Sequence, residues 1–191
     1  MDSTSSTILF NKEGVSLRKT CTNDYIIDFK LQNKEISLEP ILHLHFLRLI
    51  YEINKQDCFD DMTYDVETNE HATLALKMKH FFQDFGVTQR YVFAKINMTK
   101  LLNQVVFDVI PIQRDDTIPP YSLLCEEIPF STMTSVSTLE NPHTIHSHTT
   151  IRFPEQISEP VPEMIESLSI KLFCNVLLRT KRFIETMKVT V

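Results

Sequence analysis

Glycine is almost missing from this chain: Gly14 and Gly86 are the only two in 191 residues, where average usage is about 7%. Glycine lets a backbone curl tightly around a phosphate or take a positive φ without a clash. Two of them cannot build a glycine-rich phosphate loop, a dinucleotide fingerprint or the strained elbow that presents a nucleophilic serine. Kinase, P-loop NTPase, dinucleotide-binding and α/β-hydrolase folds are excluded on this count. Turns must be made instead by Asn, Asp, Ser and Pro.

Between such turns the apolar residues change period along the chain. Residues 7–10 and 15–18, joined by Asn11-Lys12-Glu13-Gly14, read as a short hairpin, and 25–31 as a strand. Ser37 and Glu39-Pro40 then signal a helix start. Ile41, Leu44, Leu47, Ile50 and Ile53 repeat at helical spacing, so a helix with Pro40 in its first turn is expected to run through about Asn54. Polar residues 56–63 read as a loop. Residues 71–77 alternate as a strand, followed by a helix to Phe85 closed by Gly86. Strands are expected at 90–97 and 104–112, at 121–126 and at 149–153. Eight of the nine prolines lie between Pro111 and Pro162, which makes 111–162 a Pro/Ser/Thr-rich extended segment with loops or extended pieces at 131–138 and 154–163. A last amphipathic helix runs from 163 to 188, with Ile165, Leu168, Leu172, Val176, Phe183 and Met187 along its stripe. The expected fold is a single α+β domain over residues 1–191, with frayed residues 1–6. Its short, mostly antiparallel strands pack against two long amphipathic helices.

Composition narrows the function. Hydrophobic residues make up 42% of the chain, enough for one ordinary core. The net charge of −6 makes direct nucleic-acid binding unlikely, because phosphate contacts need clustered Lys and Arg. No run approaches the roughly 20 apolar residues of a membrane helix, and the first residues do not read as a signal peptide. Cys21, Cys58, Cys125 and Cys174 are widely spaced. They read as free thiols in a reducing compartment, cytoplasmic or nuclear. None has an activating basic neighbour at local spacing, and the acidic run around Asp57, Asp60, Asp61 and Asp65 lacks the ligand order of a calcium loop.

Seven histidines remain. His43 and His45 fall within the first expected helix, about 200° apart, which prevents joint chelation. His143, His146 and His148 cluster within six positions. On a strand, His146, His148, Thr150 and Arg152 share one face. That pair could supply two zinc ligands, but no third is fixed by spacing. The expectation is a polar strand face, with no metal and no cofactor.

His71-Ala72-Thr73-Leu74 and His148-Thr149-Thr150-Ile151 share a His-x-Thr-apolar pattern. Brought side by side, two such strands would converge two imidazoles for acid–base work near neutral pH and two hydroxyls for phosphoryl oxygens. These eight residues resemble the paired motifs of the two-histidine phosphoesterases, which cleave cyclic phosphates and 2′,5′-linked oligonucleotides. The resemblance implies catalytic roles for His71, Thr73, His148 and Thr150. The chain departs from that family before its second motif, where a helix is usual and this sequence is Pro-rich and extended. The preferred reading is a non-catalytic interaction or scaffold subunit of a cytosolic or nuclear assembly. Other protein subunits, or a second copy of the chain, would dock through the C-terminal helix 163–188. The phosphoesterase is the alternative.

Overall fold

The computed structural model describes residues 6–21, 23–112, 125–154 and 163–188. Three strands come first: β1 (Thr7–Lys12), β2 (Val15–Cys21) and β3 (Asp24–Gln32). Helix α1 (Phe46–Cys58) follows, then β4 (Phe59–Val66), β5 (His71–Met78), β6 (Gln89–Lys100) and β7 (Gln104–Pro111). The short β8 (Cys125–Glu127), then β9 (Thr132–Asn141), β10 (Thr144–Arg152) and the long α2 (Glu163–Thr186) complete the order. The strands form one sheet in the order β1-β2-β3-β10-β9-β7-β6-β5-β4, antiparallel throughout, with β8 added in parallel to the start of β6. The expected single-domain α+β class of antiparallel strands and two helices is the fold observed.

The hairpin β1–β2 turns at Glu13 and Gly14, whose φ values of 51° and 75° are both positive. That is the backbone a tight two-residue hairpin demands, and it is where one of the two glycines is used. Helix α2 lies over the inner face of the sheet. Its Cys174 packs with Leu17 and Ile27 of β2 and β3, while its Val176 shares a cluster with Cys58 and with Phe59 of β4. In a flat sheet β3 and β4 would stand six strand spacings, about 29 Å, apart. One helix reaches both because the sheet curls around it. A polar clamp joins the helices: the buried Asn54 amide donates to Ile50 O at 2.8 Å and to Thr180 Oγ1 at 3.1 Å.

Several local expectations are corrected. The first helix begins at Phe46, not at Glu39-Pro40: Pro40 opens only a 3₁₀ turn at Glu39–Ile41, and Leu42 leaves helical geometry with ψ 62°. His43 and His45 therefore precede the helix and stack on each other, ring centroids 5.1 Å apart. The expected loop at 56–63 is the end of α1 and the start of β4. As an edge strand, β4 turns Met62 and Tyr64 inward and leaves Asp61, Thr63 and Asp65 exposed. After β5 the expected helix shrinks to a 3₁₀ turn at Gln83–Phe85, closed by Gly86 at φ 70°. Residues 131–138, expected as a loop or extended piece, belong largely to β9. The strand expected at 121–126 is seen only from Cys125; residues 121–124 lie outside the described part. Among the described residues no helix is long and apolar enough to cross a membrane.

Candidate functional site: the inner face of the sheet

Strand register fixes which side chains share the inner face. Moving from β3 across β10 and β9 to β7, one row reads Phe29, Ser147, Ser137, Val105. The next reads Ile27, Thr149, Ser135, Phe107. Below them lie Ile145 and Leu139, and above them Ile151 and Met133. Four hydroxyls thus form a square on the two central strands, surrounded by apolar side chains. Thr149 Oγ1 donates to Ser135 Oγ at 2.8 Å, and Ser137 and Ser147 share a short hydrogen bond. Two bonds use two of the four hydroxyl protons, which leaves one free donor in each pair.

Burial changes along this face. Val105, Ile145 and Ser137 are buried towards the end that carries the β6–β7 and β9–β10 turns, and Ile96 and Val109 are buried in the row of Met133. Towards the other end Phe107, Ser135, Thr149, Ile151, Met133 and Val92 remain partly accessible. These residues sit in the middle of the sheet and point to the side that α2 covers. Phe107, Met133 and Val92 pack against a cluster to which α2 contributes no residue, and this part of the face meets α2 at its β10 side. The α2 wall there is apolar, with Ile170, Cys174 and Leu177 in the cluster that also holds Ile151.

One charged group borders the face. Glu166 of α2 accepts from Lys19 Nζ at 2.7 Å and from the Tyr25 hydroxyl at 2.5 Å. The Lys19 bond, then that of Tyr25, holds the Glu166 carboxyl below its ordinary range. The Glu166 bond raises Lys19. Burial, then Glu166, raises Tyr25. Cys174 is fully buried, and burial pushes its thiol up to about 11. A separate groove of about 550 Å³ lies between the helices, lined by Leu49, Glu52, Ile53, Arg179, Arg182, Phe183 and Thr186. No strand contributes to its lining.

The histidines stand on the opposite, outer face. His148 Nδ1 lies 2.8 Å from Asp28 Oδ1, His146 Nε2 lies 3.8 Å from the same oxygen, and Arg18 approaches Asp28 Oδ2 at 3.4 Å. His71 Nδ1 meets Asn97 Oδ1 at 2.9 Å, and Thr73 donates to Glu67 at 2.8 Å. Thr150 and Arg152 share the His148 face, and Arg152 reaches Asp24 at 3.2 Å. Three strands, β9, β7 and β6, separate His148 from His71, a span of about 19 Å at ordinary strand spacing. The two His-x-Thr motifs do not converge, because β10 pairs with β3 and β9 and not with β5. Among the described residues no cluster of three or more His, Cys, Asp or Glu could hold a metal.

The four hydroxyls were not among the sequence candidates. Their signal was present: Met133-x-Ser135-x-Ser137-x-Leu139 and Ile145-x-Ser147-x-Thr149-x-Ile151 alternate at strand period.

Compared by sequence, the chain matches no family model and no curated protein. Its fold does have counterparts among solved structures. The human StarD13 (DLC2) lipid transfer and protein localization domain superposes with a TM-score of 0.70 at 6% identity, over 96% of this chain and 90% of that one. Human StAR-related lipid transfer protein 5 gives 0.63 at 10% identity, over 95% and 89%. Human STARD10 gives 0.62 at 8% identity, over 93% and 74%. These likenesses correct the expectation of an interaction or scaffold subunit, and the phosphoesterase alternative falls with it, since the fold differs and the motifs lie apart. The chain has the START-type fold: a long antiparallel sheet curled around a C-terminal helix.

Proposed function

We propose that this chain binds a lipid between the inner face of its sheet and α2, and carries it through water. The observation that bears the reading is the partly accessible apolar surface at the middle of the sheet, on the side covered by the helix. Mid-sheet apolar side chains under a helix normally close the core. Here Phe107, Ile151, Met133 and Val92 keep accessible surface that a hydrocarbon ligand would cover. A ligand burying about 400 Å² of apolar surface would gain roughly 10 kcal/mol before the costs of association. The structural neighbours, two of them named for lipid transfer, support the same reading. Four free thiols, two of them buried, favour a reducing compartment such as the cytoplasm or nucleus.

The test is direct. Protein stripped of lipid is mixed with vesicles of phosphatidylcholine containing radiolabelled diacylglycerol, sterol or phospholipid, the vesicles are floated away, and label left with the protein is counted. About one lipid per chain is expected for at least one class. Thr149→Trp, which fills the space with an indole, should lower that uptake at least about tenfold while the protein stays folded. Folded wild type that retains no label from any class would overturn the proposal.

A further inference from the structure

We infer that the lipid's polar group is uncharged, and that it docks inside the protein against the hydroxyl square of Ser135, Ser137, Ser147 and Thr149. This rests on the proposed lipid site and names the chemical class it takes: a neutral amphipath carrying a hydroxyl or carbonyl, with no ionised headgroup beyond it.

Within the described residues, β10, β9 and β7 place no acidic or basic side chain on the inner face. On β6 the same face carries charge only at its two ends: Arg90 pairs with Glu126 at 2.6 Å, and Lys100 stands at the exposed end of the β6–β7 hairpin. At the other border Lys19 and Glu166 neutralise each other at 2.7 Å. An anionic or cationic headgroup brought to this face would leave water with no counter-ion to meet it, which is costly for any ion.

A neutral polar group fits. The square sits two strands wide and two rows deep, with apolar side chains on all four sides. Each hydroxyl pair satisfies one proton internally and keeps one O–H to donate, along with unused lone pairs. A ligand hydroxyl could accept from one pair and donate to the other. A carbonyl could accept from both. The rest of the ligand would then run over Ile151, Met133 and Phe107 towards the accessible end of the face. Cross-strand Ser/Thr pairs also stabilise sheets by themselves, so the test must separate ligand recognition from folding.

Pairs of ligands with one apolar body do so. Stripped protein would be titrated with dioleoylglycerol and dioleoylphosphatidate, and with oleyl alcohol, its methyl ether and oleate at pH 8. The neutral member of each pair should bind about a hundredfold tighter than the ionised one, given the cost of an unpaired buried charge. In the double variant Ser137→Ala, Ser147→Ala, affinity for the alcohol should fall about tenfold while that for the methyl ether changes less. Thr149→Val, nearly the same shape without the hydroxyl, should act in the same direction, and melting curves report whether each variant folds. Equal or tighter binding of the ionised members would overturn the inference and leave lipid binding standing. So would equal losses for alcohol and ether in folded variants. Binding of no member would overturn the lipid reading and this inference with it.

Discussion

Two neighbouring residues of α2 should respond to the same truncation with losses of very different size. Ile184 is fully buried, in a cluster with Val15, Phe29, Leu31, Leu38, Ile145 and Leu178. Phe183, one position earlier, is 45% exposed and lines the groove between the helices. Ile184→Ala removes three carbons, worth about 2.4 kcal/mol at about 0.8 per methylene. If the cluster does not collapse, a cavity of about 70 Å³ adds about 1.7 kcal/mol. The total is about 4 kcal/mol, a large share of an ordinary domain's stability. Phe183→Ala deletes a larger side chain, yet most of the loss is of surface already wet, so about 1 kcal/mol is expected. Urea unfolding followed by far-ultraviolet circular dichroism would measure both, with unchanged m-values as the check that both variants unfold from the same native state. Equal losses, or a greater loss for Phe183→Ala, would mean that α2 is rotated about its axis from the orientation described, and the assignment of its inner wall would fail with it.

Cys174 makes stability depend on alkaline pH. Its folded thiol titrates near about 11 against an ordinary 9.0, so the native state favours the neutral form and loses stability as pH rises from about 9 towards 11. Two pH units correspond to at most about 2.7 kcal/mol, and Cys174→Ala should flatten the urea midpoint across that range relative to wild type. Glu166 works at the acid end. Its carboxyl is held below the ordinary 4.5, so its contribution is present above that value and is lost as pH falls through its folded range. Glu166→Gln should therefore destabilise at pH 7, with the difference from wild type shrinking as pH falls below 4.5. Finally, His71→Ala and His148→Ala should leave lipid uptake unchanged, since both imidazoles face away from α2. A tenfold loss in either, with normal melting, would return the outer face to consideration.

The sequence was legible where pattern and propensity agreed. Alternation placed β3, β5, β6 and β7, and the long apolar stripe placed α2. Reading failed where a strand was polar on one side and lay at an edge: β4 presents Asp61, Thr63 and Asp65 outward, and those residues count towards a loop when period is judged by eye. Serine and threonine misled in the same way in β9, whose inner hydroxyls occupy positions where apolar residues normally announce a strand. The histidines drew attention because imidazole chemistry is versatile. Side-chain period does place His71 with Thr73, and His148 with Thr150, but it cannot say which strands become neighbours. That depends on β10 pairing with β3, a long-range choice that no local signal encodes.

That pairing also sets the order in which the chain can be completed during synthesis. Asp28 meets His148 across 120 positions, and Asn33 binds the carbonyl of Ile184 across 151. At about 5–20 residues per second, the first three strands wait roughly 8–30 s for the helix that covers them. Throughout that interval Val15, Leu17, Ile27, Phe29 and Leu31 form an uncovered apolar ribbon with an unpaired edge at β3. Transiently exposed apolar surface with an unpaired strand edge is what makes partly folded chains aggregate. Loss of even the last two turns of α2 would leave the ribbon's Leu31 end open permanently, making such a product prone to aggregate rather than merely less stable.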